Sequence, residues 1–356
     1  MKKYIKKFLL SFLLLVTFSI PTYADENLEV HFIDVGQGLS ILAKSGDDVM
    51  VYDGGDRKHS SIVVSYLKRQ GITDIDYLIS SHYDEDHVAG LVGCLNAFEI
   101  GMVIGPDYEK DTKTYQAFVD GVAANDLFVE HPDVGEIYEF GDGSFTVLSP
   151  SVITNDDNDN SVAIKLTDGD KSFIFTGDAE AASESNMIAS GIDLSCDVLC
   201  LGHHGSASST SYDFLSATVP EYAVISCGQD NKYGHPHKDT MDKLEAMEIE
   251  IFRTDKQGTL VARSNEKEII WNQTSCGDYS PGERSDKGTV PQCDNEEITI
   301  SEEYEQKVWI FATGNKYHAT SECGSRNSNR ATEISVLDAE EQGYSPCKRC
   351  FRDGYR

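Results

Sequence analysis

The run His82-Tyr83-Asp84-Glu85-Asp86-His87 packs four nitrogen and oxygen donors suited to metal ions into six residues. Residues i and i+2 at the end of a strand project to one face, so His82 and Asp84 can grip one ion. If the chain then turns into a helix, Asp86 and His87 point back toward a second. A solvated acidic turn explains the run poorly. It sits between the apolar strand pattern Ile75–Ile79 and the apolar Val88-Ala89-Gly90-Leu91, where unpaired charge is costly. Asp178, in Phe175-Thr176-Gly177-Asp178, and the pair His203-His204 before Gly205-Ser206 add a carboxylate and two imidazoles. His235, in Tyr233-Gly234-His235-Pro236, adds a third imidazole.

A separate group lies near the C-terminus. His318 and Cys323 precede Cys347 and Cys350 by about 25 residues, and together they offer enough soft ligands for a closed tetrahedral zinc. A module of about 50 residues buries little core and needs such a staple. Disulfides involving Cys323, Cys347 and Cys350 are the alternative.

These residues need elements to hold them, and residues 28–271 alternate strand and helix signals. Strands are predicted at Leu28–Ile33, Val49–Tyr52, Ile75–Ile79, Asp197–Leu201 and Ala223–Ser226, with closing strands near 249–253 and 259–271. Val162–Leu166 and Ser172–Phe175, joined by Asp168-Gly169-Asp170, read as a hairpin. Helices are predicted at Ser60–Gln70, Ala179–Ser190 and Lys238–Met247. The mixture of hairpins and βα units indicates a layered α/β sandwich. Residues 272–306 read as an acidic, Gly/Pro-containing linker, and residues 307–356 as the small Cys/His module.

The chain has 356 residues, 40% hydrophobic and 25% charged, which supports a buried core and excludes wholesale disorder or a coiled coil. Lys2, Lys3, Lys6 and Lys7 precede an apolar run from Phe8 to Ile20, then Pro21-Thr22-Tyr23-Ala24. This pattern predicts a signal peptide over residues 1–24, a secreted product and no stable membrane insertion after cleavage. Cleavage takes four lysines and no acid from a net charge of −30, leaving −34. So acidic a surface excludes general electrostatic affinity for nucleic acid. Among the nine cysteines, Cys94, Cys196, Cys200 and Cys227 read as buried thiols, and Cys276 with Cys293 as a candidate local disulfide.

His82-x-Asp84-x-Asp86-His87 resembles the HxHxDH signature of the metallo-β-lactamase superfamily, with Asp84 where the second histidine commonly stands. Phe32-Ile33-Asp34-Val35-Gly36-Gln37-Gly38, Asp53-Gly54-Gly55, Thr176-Gly177-Asp178, His203-His204-Gly205-Ser206 and Tyr233-Gly234-His235-Pro236 are similar to its ComEC-like competence branch. The resemblance spans residues 28–271 and implies an α/β fold of the αββα sandwich type. It implies two divalent ions, zinc or manganese: His82 and Asp84 on the first, Asp86 and His87 on the second, and Asp178 bridging them. His203 leads as the final ligand, with His204 as the alternative or as a residue orienting substrate. His235 is a candidate acid or phosphate contact, and Asp53 a support for the ligand loop. Asn160-Ser161 stands where β-lactamase-type members carry a further histidine, and Leu39 where this branch often has an acid. The tail resembles the cysteine-rich zinc module of Ada-type repair proteins.

Two ions about 3.5–4 Å apart suit in-line displacement at phosphorus, and extra carboxylates with fewer imidazoles than the β-lactamase pattern suit phosphoesters better than β-lactams. The expected activity is therefore exported phosphodiester hydrolysis, DNA being the leading substrate by resemblance. A cell-wall phosphodiesterase acting on teichoic-acid phosphocholine is the alternative enzyme. A non-catalytic binding protein on the same scaffold is the third reading, and retention of the ligand set argues against it.

Overall fold

The computed structural model describes residues 28–283 and, in the tail, residues 307–311, 316–318, 331–335 and 345–347. The expected signal peptide, Cys293, Cys323 and Cys350 lie outside the described residues. The chain divides into two compact units, residues 1–293 and 294–356.

In the first unit, β1 (Leu28–Phe32), β2 (Ile41–Ser45), β3 (Asp48–Tyr52), α1 (Ser60–Arg69), β4 (Asp74–Ile79) and α2 (Glu85–Ala97) lead into β5 (Glu99–Ile104), α3 (Lys113–Ala124) and β6 (Val129–Glu130). Then come β7 (Ile137–Phe140), β8 (Gly143–Ser149), β9 (Ala163–Asp168), β10 (Lys171–Phe175), α4 (Ala181–Ala189), β11 (Val198–Cys200) and α5 (Tyr212–Thr218). The unit closes with β12 (Tyr222–Ile225), α6 (Lys238–Ala246), β13 (Glu250–Arg253), α7 (Thr254–Gln257), β14 (Leu260–Ser264) and β15 (Ile269–Trp271). One sheet has the order β15-β14-β1-β2-β3-β4-β5-β6, the other β13-β12-β11-β10-β9-β8-β7.

Three apolar layers explain the stacking. Phe32, Tyr52 and Ile79 from one sheet meet Phe173, Phe175 and Phe252 from the other. Outside the first sheet, Val63 and Leu67 of α1, Leu91 and Leu95 of α2 and Phe118 of α3 cover Val51, Leu78 and Val103. Outside the second, Met187 of α4, Leu215 of α5 and Leu244 of α6 cover Ile174, Leu199 and Ile251. Strands buried on both faces read as continuous apolar runs, as in β11. The result is the αββα sandwich.

Strands β3 and β4 are parallel, as are β10, β11 and β12. Their C-terminal ends therefore deliver Asp53, His82, Asp178, His203-His204 and Ser226 to one edge of the sandwich. Glycines permit the close approaches that lock this edge. A Cβ on Gly90 of α2 would lie 1.7 Å from the Gly54 carbonyl oxygen, and one on Gly38 2.5 Å from that of Asp86.

The linker expected from residue 272 begins later than its composition suggests. Cys276 N–H donates to Ile251 O, Gly282 N–H to Pro236 O, and the buried Arg253 guanidinium to the Ser280 carbonyl at 2.6 Å. Backbone groups satisfied this way anchor residues 272–282 to the first unit despite their polarity. Cys94, Cys196, Cys200 and Cys227 are buried, and burial raises each thiol, Cys94 to about 12. In the tail, β16 (Lys307–Phe311), β17 (Lys316–His318), β18 (Ala331–Ser335) and β19 (Ser345–Pro346) form a sheet of order β18-β16-β17-β19. His318 is buried and Cys347 is half-buried.

Candidate metal centre

Asp53 is the anchor of the centre. It follows β3 in the left-handed region, at φ 58°, which is uncommon for a residue with a Cβ. Its carboxylate accepts the Ser81 N–H at 2.7 Å, the Ser81 hydroxyl at 2.7 Å and His87 Nδ1–H at 2.8 Å. With Nδ1 donating, His87 Nε2 carries a lone pair into the site. Because the Ser81 hydroxyl donates to Asp53, its oxygen accepts from His82 Nδ1 at 3.0 Å. That directs the lone pair of His82 Nε2 inward too. His204 Nδ1 donates to the Ser226 carbonyl at 3.0 Å, so its Nε2 also points inward. These tautomers follow from the fixed acceptors.

Asp178 sits where these rings converge. Its Oδ1 lies 3.2 Å from His87 Nε2 and 3.5 Å from His204 Nε2. Asp86 lies 3.6 Å from His204 Nε2. Oδ2 faces the other way, 4.0 Å from His82 Nε2 and 3.8 Å from His203 Nε2. Donor atoms of His82, His87 and Asp178 lie within 4.8 Å of one another, as do those of Asp86, His87 and His204.

The fit to cations is electrostatic. His82 Nε2 and Asp178 Oδ1 are buried without hydrogen-bond partners. His87 Nε2 and His204 Nε2 face each other at 3.2 Å, a contact satisfied by a shared proton or by a divalent cation that replaces it. Burial pulls the His87 imidazole down, but the Asp178 and Asp53 carboxylates outweigh it and hold its pKa well above the ordinary range. Burial likewise opposes ionisation of Asp86 and Asp178, and the neighbouring histidines reverse it, keeping both carboxylates well below their usual range. A group of anionic oxygens around imidazoles binds a divalent cation in place of protons.

His203 and His204 both adopt the left-handed region, at φ 47° and 56°. This tight turn lets adjacent rings reach the same carboxylate from two sides. The sequence reading ranked His203 first, whereas His204 is the ring grouped with Asp86 and His87. His203 is fixed by Glu180 at 2.9 Å through Nδ1.

Asp84 departs from the expectation. Its carboxylate is paired with the Lys110 ammonium, which also binds Asp157 at 2.6 Å. It belongs to neither donor group. The ion pair, formed across the loop after β5, draws the carboxylate aside. Nothing in the local sequence signals this, because Lys110 is an isolated lysine 26 residues downstream of Asp84.

The segment at Asn160-Ser161 is structural. Asn160 holds both backbone groups of Thr154, and Ser161 Oγ accepts the Asp178 N–H at 3.1 Å. The nearby acidic run also has structural uses, since Asp159 Oδ1 accepts N–H groups of Glu180 and Ser183 at the start of α4. Asp34 satisfies the Gly36 N–H of its own turn at 3.0 Å.

His235 lies beside His203 and His204, with ring centroids 5.4 and 6.2 Å away, and stacks on Tyr233. Gln37 Oε1 accepts the Gly228 N–H, which turns the Gln37 amide nitrogen toward His235 Nδ1 at 3.4 Å. Burial, then the neighbouring histidines, lower the His235 pKa to about 3, so the ring is neutral.

Residues 33–229 match the Metallo-beta-lactamase superfamily. The chain belongs to that superfamily. Its curated relatives include ComE operon protein 3 of Bacillus subtilis, 31% identical over 69% of this chain and 34% of the relative. Recombination protein 2 of Haemophilus influenzae is 32% identical over 69% of this chain and 29% of its own length. Competence protein ComA of Neisseria gonorrhoeae is 30% identical over 64% and 31% respectively. The superfamily domain is similar to a segment of each of these relatives, and the chain spans about a third of each relative's length. Among the described residues, no helix is long and apolar enough to cross a membrane.

Proposed function

We propose that the chain is an exported, metal-dependent hydrolase of phosphodiesters, with DNA as the leading substrate. The observation that carries this reading is Asp178, a buried carboxylate whose two oxygens face separate sets of imidazoles. Zinc or manganese held by His82, His87, Asp178, Asp86 and His204 would supply Lewis acidity at phosphoryl oxygens and acidify a water.

The chain's own residues supply the rest. Asp53 fixes the His87 ring and, through Ser81, the His82 ring, so the donor set is oriented before substrate arrives. The neutral His235 accepts from Gln37 through Nδ1, which leaves Nε2–H to donate to a phosphoryl oxygen. Asp86 lies 3.6 Å from His204 Nε2 and adds a second carboxylate to the centre. The relatives named as a recombination protein and a competence protein put DNA first among substrates.

The net charge of −30 favours a second reading, a cell-wall phosphodiesterase, because a small headgroup needs no basic groove. A panel of DNA, RNA, a nitrophenyl phosphodiester and phosphocholine esters tests both. Hydrolysis of DNA supports the first reading, hydrolysis of phosphocholine esters alone the second, and inactivity on all removes both. We further propose one structural zinc in the tail, held by His318, Cys323, Cys347 and Cys350.

A further inference from the structure

The two oxygens of Asp178 face unequal surroundings. On the Oδ1 side, Asp86, His87 and His204 converge, one carboxylate and two imidazoles around the shared oxygen. On the Oδ2 side stand His82 at 4.0 Å and His203 at 3.8 Å; His203 is already held by Glu180 through its other nitrogen, and His82 completes a three-donor group with Asp178 only by sharing His87 with the first side. The residue spaced to complete that side is Asp84, two positions after His82, and Lys110 holds it. The loop that could have supplied a replacement instead offers Asn160, committed to Thr154, and Ser161, committed to the Asp178 N–H.

We propose that the centre binds one divalent ion tightly on the Asp86–His87–His204 side of Asp178. The His82 side is a weak position, and Lys110 keeps it weak by pairing with Asp84. The chain thus takes a single resident ion, and the other position fills only at high metal concentration or with substrate. This rests on reading the site as a metal centre and is independent of the substrate.

The geometry argues for a device rather than a chance surface pair. The Lys110 ammonium is claimed by two carboxylates, Asp84 and Asp157, and its side chain is only 22% exposed. An ammonium bridging two acids is not released by moving one of them.

Manganese tests this, because carboxylate and imidazole donors accept it while the thiolates of the tail favour zinc. Metal-free full-length protein is titrated with Mn²⁺, and free ion is followed by electron paramagnetic resonance. The expected result is one tight equivalent and a second weaker by at least about tenfold, the range over which supporting residues change metal affinity. Lys110→Met releases Asp84, so the weak equivalent should tighten by about tenfold or more. Asp84→Asn should leave the tight equivalent unchanged, and this variant keeps the test open if Lys110→Met does not fold. Two equally tight equivalents in the native protein, or loss of the tight ion in Asp84→Asn, overturns the proposal. An unaltered weak site in folded Lys110→Met does the same. Absence of any manganese binding overturns the metal-centre reading itself, an outcome distinct from these.

Discussion

At the scale of single residues, one carboxylate orients most of the centre without facing the cation position. Asp53 accepts three hydrogen bonds from Ser81 and His87 in a backbone conformation few side chains tolerate. Asp53→Ala should leave His87 free to rotate and lower metal affinity by about 10–100-fold, measured by competition with a chromogenic chelator. Retained affinity would show that the packing of α2 alone fixes the ring. That His82, Asp86, His87, Asp178 and the His203-His204 pair would come together was legible in the sequence, because these polar residues abruptly end apolar strands. Asp84 was not. Its spacing fits a ligand, and only the fold brings Lys110 across to claim it. The order of His203 and His204 was equally hidden, since it depends on two consecutive left-handed residues that no propensity favours.

At the scale of elements, the sandwich edge depends on α2 pressing against the loop after β3. Gly54 N–H donates to His87 O, and Gly90 N–H to Gly55 O. Gly90→Ala drives a methyl into the Gly54 carbonyl and should destabilise the domain by about 3 kcal/mol, with loss of bound metal, read by thermal melting and elemental analysis. At the opposite end of β1, Glu29 ties three strands through Lys44 of β2, Arg263 of β14 and its neighbour His31. The bond from His31 leads in holding its carboxyl well below the usual 4.5, joined by Arg263 and Lys44 against the effect of burial. A depressed folded pKa means stability present above 4.5 and lost as pH falls below it. Glu29→Gln should therefore destabilise the protein by about 1 kcal/mol at pH 7, and the difference should shrink steadily below pH 4.5. A pH-independent difference in melting temperature would assign the effect to packing. Strands and helices flanking the motifs were predictable from apolar runs. The stretch holding β6 and β7 was not, because these strands have two and four residues and are largely exposed or half-buried, as in Val129 and Glu130 of β6.

At the scale of the whole molecule, the metal centre belongs to the first unit, whose apolar layers do not require the tail. If zinc staples the tail, its folding free energy is largely zinc-binding free energy, roughly 10 kcal/mol for such sites. Cys347→Ser in the full chain should then release about one equivalent of zinc and expose the tail to protease. Hydrolysis of a small phosphodiester should remain. Mass spectrometry under non-reducing conditions that finds Cys347 in a disulfide would reject the zinc staple. The central claim, that these residues form a metal-dependent phosphodiesterase, is tested most directly by Asp178→Asn. Native and variant proteins, both loaded with manganese and both folded by circular dichroism, are assayed on a nitrophenyl phosphodiester and on single-stranded DNA. The account predicts metal-dependent turnover in the native protein and a loss of roughly a hundredfold or more in the variant, because only a charged carboxylate serves both sides of the centre. Equal turnover in both proteins, or none in the fully loaded native protein, would contradict it.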